Sequence, residues 1–303
     1  MKEMLREATP DVLQCYLYWG YRLGVPVGKL AGVPVTVSCR HSLSNSRGAE
    51  RLLFPWELLA DRLADAIICV SETVRDDTVR VGRVPERKVR IVRNGVEIPP
   101  HEPIPYGEGP PRILVIANLI RYKGHAILLE AFAEVIRRLG RGTVHLELAG
   151  SGPEEATLRT LADRLGVAGD VKFLGSIDDV AERLKECLFT VLPSFTEGSP
   201  MAILESLASG RAVIATTVGG VPEILREGAG ILVPPGDSDA LAEAIVQLVS
   251  DPALARRLGL EGRRVVESTF GLDRMVDETL ALYGELLSRK GITAPVSGDI
   301  AMQ

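Results

Sequence analysis

Short apolar runs alternate with amphipathic segments along most of the chain. The runs are rich in valine, isoleucine and leucine, and turn residues bound them. This alternation is typical of α/β folds with parallel sheets, because a strand covered on both faces has a continuous apolar sequence. The predicted strands are Val12–Leu17, Val33–Cys39, Ile67–Ser71, Val89–Val92, Ile113–Asn118, Val144–Ala149, Val171–Leu174, Leu188–Pro193, Ala212–Thr216 and Gly230–Val233.

Between these runs, apolar residues recur three and four positions apart, which predicts helices with one buried face. The predicted buried faces are Leu128, Ala131, Phe132, Val135 and Leu139; Leu158, Leu161, Ala162 and Leu165; and Leu241, Ala244, Ile245 and Leu248.

Prolines mark a boundary between two domains. The segment Ile98–Pro111 contains six prolines, which fit neither a helix interior nor a central strand. We therefore predict a domain over residues 1–105, a linker at about 98–111 and a second domain over 110–272. A helix is expected over 273–288, packing back towards the first domain, and 289–303 are expected to form a flexible tail.

Composition and charge exclude several classes of protein. The 303 residues are 46% hydrophobic, and 35 basic against 40 acidic side chains give a net charge of −5. This balance argues against a nucleic-acid-binding surface, which needs a basic footprint. No apolar stretch reaches the roughly 20 residues that span a bilayer. The N-terminus has no apolar signal region, and the four cysteines form no CxxC pair, so a cytoplasmic location is predicted.

Two carboxylates frame the start of a predicted helix. Glu197 lies in the loop after a buried strand, and Glu205 follows eight residues later in the helix expected to open at Ser199–Pro200. Open α/β sheets bind ligands at this end of their strands. Both carboxylates can accept hydrogen bonds from a polyol such as a sugar or a ribose, although two solvated glutamates would have the same spacing.

The same stretch resembles the E-x7-E motif of glycosyltransferase family 4, and the resemblance extends along nearly the whole chain. Segments 149–154, 173–180, 217–225 and 230–245 resemble the family's donor-binding domain in order and spacing, and 70–77 and 92–97 resemble the end of its acceptor domain. The resemblance implies the two-domain GT-B fold, with Rossmann-like domains facing across a cleft. It also implies retaining transfer of a sugar from a nucleotide diphosphate to an acceptor hydroxyl of a glycan, a lipid-linked or a small-molecule acceptor, as in polysaccharide or glycolipid biosynthesis.

The resemblance also assigns roles within the second domain. Glu197 is expected to touch the donor sugar, Glu205 the ribose hydroxyls, and the backbone around Leu174, Gly175 and Ser176 the nucleobase. In a glycine-containing turn just before a helix, the backbone can come close to an anion. We therefore expect backbone amides in such turns to lie near the anionic groups of the ligand. The candidates are Gly150, Gly152, Gly198, Ser199, Gly219 and Gly220.

Lys123 is the candidate for neutralising the leaving diphosphate, because it follows the first strand of the second domain. The family usually has Gly-Arg where this chain has Ala117–Asn118, and that arginine helps to hold the diphosphate. We expect Arg121 to substitute for it, with Asn118 beside the donor.

Two shorter motifs point elsewhere. Gly150-Ser-Gly152 resembles half of a dinucleotide fingerprint, but Glu155 occupies the third glycine position. Asp237-Ser-Asp239 resembles a DxD metal motif, yet it precedes a predicted helix that Ser238 or Asp239 can cap. We therefore predict no metal and no bound cofactor besides the nucleotide-sugar co-substrate.

In the first domain, Arg40 and His41 follow a predicted strand, and the family commonly has a histidine or arginine there, near the anomeric centre. Both are expected to face the cleft, although a histidine in this place is often structural. The run Arg80–Arg93 holds six basic residues and one acid. Solvated charges explain that run, and the alternative is peripheral contact with anionic lipid at the inner face of a membrane.

Only four strands are predicted for the first domain, and no glycine-rich first loop is visible before Pro10. We therefore expect roughly the first third to half of the family's acceptor domain to be absent, and poor or no transfer unless a partner or a second copy covers the gap. Two alternatives remain open at this point: a catalytically weak or silent nucleotide-sugar-binding protein, and an epimerase or other Rossmann-type enzyme.

Overall fold

All strands in the described part of the chain pair in parallel, and they form two separate sheets. The computed structural model describes residues 1–43, 54–100, 103, 106, 107 and 109–293. These divide into two compact units. The first comprises Met1–Asn94 and the chain from Asp273 onward, and the second comprises Gly95–Leu272.

The first unit has a four-stranded sheet in the order β1-β2-β3-β4. Val35 and Val37 of β2 and Ile68 of β3 pack against Leu282 and Leu286 of the last helix, which covers one face of the sheet. The elements are α1 (Lys2–Ala8), β1 (Val12–Cys15), α2 (Leu17–Ala31), β2 (Val35–Arg40), α3 (Phe54–Leu63), β3 (Ala66–Cys69), α4 (Glu72–Arg80) and β4 (Val89–Ile91).

The second unit has a six-stranded sheet in the order β10-β9-β8-β5-β6-β7, with its largest core around Phe132 and Phe189. Its strands are β5 (Arg112–Ile116), β6 (His145–Ala149), β7 (Val171–Gly175), β8 (Phe189–Leu192), β9 (Ala212–Thr216) and β10 (Ile231–Val233). The helices are α5 (His125–Leu139), α6 (Glu155–Arg164), α7 (Val180–Glu186), α8 (Met201–Ala208), α9 (Val221–Ile224), α10 (Ser238–Ser250) and α11 (Pro252–Thr269), and α12 (Leu272–Arg289) follows.

The strand order places a topological switch point between β5 and β8. From β5 the chain moves to β6 and β7 on one side, and β8 is followed by β9 and β10 on the other. The loops after β5 and β8 therefore diverge, and a crevice opens between them at the carboxyl ends of the strands. Lys123 follows β5 and Glu197 follows β8, so both lie beside this crevice.

Several predicted boundaries are wrong by one or two residues, among them those of β2, β3 and β5, and two of the differences have a clear local cause. Strand β1 ends at Cys15 rather than at Leu17, because Leu17 adopts a left-handed φ of 60° and begins α2. Helix α8 begins at Met201, with Pro200 as its N-cap, rather than at Ser199–Pro200. The residue before a proline is held out of the helical region, and Pro200 itself is extended with a ψ of 123°.

The described part of the proline-rich segment packs within the second unit. Just before this segment, Val96 forms an isolated bridge with Gly271, and within it the Pro99 carbonyl accepts a hydrogen bond from Arg263 Nη2 at 2.8 Å. Tyr106 packs against the main core of that unit. The predicted tail falls largely on residues 294–303, which lie outside the described residues.

Candidate functional site

Three loops at the carboxyl ends of β5, β8 and β9 are joined by hydrogen bonds. The Phe195 amide donates to the Tyr122 carbonyl at 2.8 Å, and the Gly220 amide donates to the Gly198 carbonyl at 3.1 Å. Thr216, the last residue of β9, donates its hydroxyl to the Ser194 carbonyl at 2.5 Å. Because backbone groups make most of these bonds, the loops hold one another in place without using the charged side chains.

Two glycines allow this close approach. Gly124 and Gly219 have φ angles of +73° and +50°. A Cβ built on Gly124 would overlap the carbonyl oxygen of Pro193, and one built on Gly219 would overlap the carbonyl oxygen of Glu197. Side chains at these positions would therefore force the loops apart, in addition to the cost of the left-handed backbone.

We expect Gly219→Ala to destabilise the protein by roughly 1–3 kcal/mol and to weaken ligand binding at this edge of the sheet. The measurement is urea unfolding, with the shift in midpoint at unchanged slope. Gly169→Ala is the control, because a Cβ at Gly169 meets nothing within 4 Å, and its stability should change by less than about 0.5 kcal/mol. Equal behaviour of the two variants would contradict the close packing of these loops.

Lys123, Glu197 and Ser194 form a compact polar group. Lys123 Nζ lies 2.6 Å from Glu197 Oε1, and the Ser194 hydroxyl donates to the same oxygen at 2.6 Å. The Lys123 and Glu197 side chains are only 17% and 9% exposed, so the pair is partly shielded from solvent. Glu197 Oε2 has no hydrogen-bonding partner among the described residues and can accept one from a ligand.

Glu205 lines a cleft together with Lys123, whereas Glu197 is not among the lining residues of that cleft. The cleft has a volume of about 370 Å³, and Asn118, Lys123, Gly150, Ser176 and Glu205 contribute to its lining. Glu205 is half-buried, and burial raises the pKa of its carboxyl group above the ordinary value. A carboxylate that is partly desolvated and faces a cleft is suited to accept hydrogen bonds from a ligand's hydroxyl groups.

The loops after β6 and β7 form a further wall. The Gly150 amide donates to the Gly175 carbonyl at 2.8 Å, and the hydroxyls of Ser151 and Ser176 lie 3.1 Å apart. Leu174 packs partly buried against a small core under this wall. A Cβ on Gly152 would overlap the Leu119 carbonyl, so Gly152 serves the packing of the chain rather than the cleft surface.

Three other candidate residues of the second unit do not line the cleft. Arg121 lies in the same short 3₁₀ turn as Lys123 but is exposed and does not line the cleft. Gly198 and Ser199 are buried beside Glu197, where Gly198 is bonded to Gly220. The geometry therefore favours Lys123 over Arg121 as the cation that faces a ligand.

The Arg40 side chain is buried against acidic residues of α3. Its side chain is 3% exposed and forms ion pairs with Glu57, at 3.1 Å, and with Asp61. The guanidinium also stacks over the Tyr21 ring at 3.7 Å. Both acids lie on α3, whose polar positions are indistinguishable from a solvated face in the sequence. Arg40 and the next residue, His41, line a cavity of the first unit.

Among the described residues, no cluster of three or more histidine, cysteine or acidic side chains could hold a metal ion. The DxD-like motif has a structural role instead. Asp237, rather than Ser238 or Asp239, caps α10 by accepting a hydrogen bond from the Ala240 amide at 2.9 Å. No helix of the described chain is both long and apolar enough to cross a membrane.

Sequence reasoning missed Ser194 and Tyr122. Ser194 follows the last residues of β8, so its place at the carboxyl end of a strand was a usable signal. Tyr122 acts through its carbonyl, and no side-chain pattern reveals a backbone contact of this kind.

The fold is shared with solved glycosyltransferase structures. Anabaena HepE in complex with UDP-glucose superposes with a TM-score of 0.82 at 21% identity, over 93% of this chain and 80% of that one. A sucrose-phosphate synthase from Thermosynechococcus elongatus gives 0.78 at 25% identity, over 95% and 76%. These likenesses confirm the predicted GT-B class, with two Rossmann-like units built on parallel sheets.

Sequence comparison identifies the family. Residues 110–251 match the family described as "Glycosyl transferases group 1", and residues 1–98 match "Glycosyltransferase Family 4". Alpha-maltose-1-phosphate synthase of Mycolicibacterium smegmatis is 32% identical over 287 residues, which is 84% of this chain and 73% of that protein. N-acetyl-alpha-D-glucosaminyl L-malate synthase of Bacillus anthracis is 33% identical over 58% of this chain.

The matched region spans 46% of the Bacillus anthracis protein and 43% of a putative glycosyltransferase, EpsD, of Bacillus subtilis, so it covers under half the length of these two relatives. The longer match to the mycobacterial synthase and the paired family matches nevertheless agree with the motifs read from the sequence. The chain belongs to glycosyltransferase family 4, the glycosyl transferases of group 1.

Proposed function

We propose that this protein transfers a sugar from a nucleoside-diphosphate sugar to an acceptor hydroxyl, with the donor bound in the cleft of the second unit. The observation that carries the proposal is the placement of Lys123 and Glu205 on one cleft at the switch point, with Lys123 bonded to Glu197. A cation beside a hydrogen-bond-accepting carboxylate suits a diphosphate joined to a ribose on one side and to a sugar on the other.

Each polar group has a role in this proposal. Glu205 accepts hydrogen bonds from the ribose hydroxyls, and Glu197 accepts one from a sugar hydroxyl through Oε2. Lys123 exchanges part of its bond to Glu197 for the diphosphate when the donor binds. Because negative charge on the diphosphate grows as the sugar departs, the ammonium stabilises the transition state more than the ground state.

Two kinds of relative support a nucleotide-sugar donor. The HepE structure is a complex with UDP-glucose. A Corynebacterium glutamicum relative, 33% identical over 54% of this chain, is a GDP-mannose-dependent mannosyltransferase by name. UDP-glucose and GDP-mannose differ in both base and sugar, so these relatives support the class of donor rather than one donor.

The proposed transfer retains the configuration at the anomeric carbon and uses no metal. The bond from that carbon to the phosphate oxygen breaks on the face where the acceptor oxygen bonds. The acceptor hydroxyl gives its proton to a departing phosphate oxygen, so no enzymic base is needed, and direct attack on that face needs no enzymic nucleophile. The protein's contribution is then to hold the reactants and to stabilise charge.

We also propose a peripheral contact with anionic lipid at the inner face of a membrane. Of the six basic residues from Arg80 to Arg93, Lys88 donates to backbone carbonyls and Arg90 and Arg93 have acidic partners. The other three could contribute about 1 kcal/mol each near such a surface.

We further propose that the protein associates with a second copy of itself. Exposed apolar side chains on α1 and α2 support this proposal.

Titration calorimetry of the full chain tests the proposed function. The probes are UDP, GDP, UDP-glucose, GDP-mannose and NAD, each followed by a turnover assay with a mixture of simple glycosides. We expect one nucleoside diphosphate and its sugar to bind and NAD to bind weakly or not at all. Binding of NAD alone would overturn the proposal in favour of another Rossmann-type enzyme. Nucleotide-sugar binding without turnover on any acceptor would favour a silent binding protein.

A further inference from the structure

Ser194 lies behind the charged pair of the candidate site. The residue is 0% exposed, and it is not among the residues that line the cleft. Its hydroxyl donates to Glu197 Oε1 at 2.6 Å, and the same oxygen lies 2.6 Å from Lys123 Nζ. Any effect of this hydroxyl on a ligand in the cleft must therefore pass through Glu197 or through the packing of the loop.

The two side chains that donate to Glu197 differ in how far they can move. Lys123 lines the cleft on a long flexible side chain, and among the described residues its ionic partner is Glu197. The Ser194 hydroxyl turns about a single side-chain torsion, and the Ser194 carbonyl is held by the hydroxyl of Thr216 at 2.5 Å. An anion in the cleft can therefore attract Lys123, while Ser194 stays in place.

The main chain that carries Glu197 is fixed as well. The Glu197 carbonyl oxygen lies so close to Gly219 that a Cβ there would overlap it, and the carbonyl of the next residue, Gly198, accepts a hydrogen bond from the Gly220 amide. Glu197 therefore cannot follow Lys123 by a movement of its backbone. Its carboxylate depends on the remaining hydrogen-bond donor for its orientation.

Removing the lysine from this pair leaves a shielded negative charge. The Glu197 side chain is only 9% exposed, and Lys123 and Ser194 are the two side chains of the described chain that donate to it. A shielded charge that loses its counter-ion is destabilised unless other hydrogen bonds compensate for the loss. The Ser194 bond becomes stronger at that moment, because Oε1 no longer shares its charge with an ammonium group.

We propose that Ser194 is a positioning residue, whose hydroxyl holds Glu197 Oε1 in place while Lys123 leaves that oxygen for the diphosphate of the donor. The inference rests on the proposed function and goes beyond it, because it assigns a step of donor binding to a residue that does not touch the donor. The alternative is an ammonium group that keeps its bond to Glu197 and offers the diphosphate only its other two N–H groups. Ser194 would then have no influence on diphosphate affinity.

Titration calorimetry of the full chain distinguishes these two arrangements, with UDP, GDP and ADP as probes. We expect Ser194→Ala to weaken binding of the preferred diphosphate by about three- to tenfold. This loss is a part of the value of one charge-assisted hydrogen bond, since the bond is present in both states but stronger in the bound one. An affinity that stays within about twofold of the wild type would overturn the proposal.

A double-mutant cycle separates this role from a purely structural one. In a Glu197→Ala background, Ser194→Ala should change diphosphate affinity by less than about twofold, because no carboxylate is left to hold. An equal loss in both backgrounds would show that Ser194 acts through the packing of its loop, and would overturn the proposal. Ser38→Ala is the matched control, because Ser38 is a buried serine of β2 in the first unit, and it should leave diphosphate affinity within about twofold.

Urea unfolding shows whether each variant is folded before it is titrated. If Ser194→Ala does not fold, Ser194→Cys replaces it, because a thiol has a similar shape and is a much weaker donor. The same loss of diphosphate affinity, and its absence in the Glu197→Ala background, are expected of that variant. A cysteine variant with wild-type affinity would overturn the proposal.

The wild-type titration separates this inference from the proposed function. If none of the three diphosphates binds the wild-type chain, the proposed function fails and the role of Ser194 fails with it. If a diphosphate binds with an affinity that Ser194→Ala does not change, the role of Ser194 is refuted while the donor site stands.

Discussion

Replacing Lys123 by alanine will lower kcat by roughly 10²–10³-fold, as does the loss of one preorganised group that stabilises a developing oxyanion. Donor affinity should fall much less, because the diphosphate carries less charge in the ground state than in the transition state. The measurement is steady-state kinetics with the nucleotide sugar identified by titration, supported by direct titration of that nucleotide sugar. Lys123→Arg should recover part of kcat, since it keeps the charge but changes its position.

Two further variants complete this experiment. Lys172→Ala removes an exposed lysine from β7 and should leave kcat within about twofold, a change within the range of ordinary surface substitutions. Arg121→Ala should be milder than Lys123→Ala, because Arg121 does not line the cleft. An unchanged kcat with a raised KM in Lys123→Ala would show that Lys123 stabilises the bound donor and the transition state equally. A larger loss in Arg121→Ala would show that the two cations have the opposite roles.

Replacing Glu205 by alanine will weaken binding of the bare nucleoside diphosphate by about 10- to 150-fold, the loss of one charge-assisted hydrogen bond of roughly 1.5–3 kcal/mol. Glu197→Ala should instead spare the bare nucleotide and remove only the extra affinity contributed by the sugar. Glu205 lies in α8 and lines the cleft, whereas Glu197 lies in the preceding loop and is bonded to Lys123, so the effects should separate in calorimetry.

A ligand that lacks a ribose hydroxyl gives a stricter test of the contact between Glu205 and the ribose. The wild-type protein should bind UDP, or whichever diphosphate it prefers, more tightly than the 2′-deoxy form, and Glu205→Ala should lose much of that preference. Burial raises the pKa of Glu205, so wild-type affinity should fall as the pH drops through this raised value, while Glu205→Ala lacks this component. Equal losses of nucleotide affinity in Glu205→Ala and Glu197→Ala would contradict the assignment.

The sheets could be predicted from the sequence because buried parallel strands are continuous apolar runs. The run around Ile113–Val115 and the run Ala212–Thr216 are completely buried on both faces, and no helical pattern competes with them. The end of β1 could not be predicted, because it depends on a left-handed leucine at position 17, a conformation that side chains with a Cβ rarely adopt.

Some residues of the candidate site could likewise be predicted from the sequence, and others could not. Glu197 and Glu205 could be identified because their spacing and the end of a buried strand are local features of the sequence. The bond between Lys123 and Glu197 joins residues 74 positions apart, and it depends on β5 and β8 being neighbours in the sheet. The burial of Arg40 was missed because its partners, Glu57 and Asp61, are polar residues on a helix whose buried face is set by tertiary packing.

The structure of the full chain with its nucleoside-diphosphate sugar bound tests the donor site most directly. The proposed function predicts the ribose hydroxyls within hydrogen-bonding distance of Glu205, the diphosphate beside Lys123 and a sugar hydroxyl at Glu197 Oε2. A nucleotide bound away from the cleft between β5 and β8, or one whose diphosphate lies far from Lys123 with the Lys123–Glu197 pair undisturbed, would contradict it.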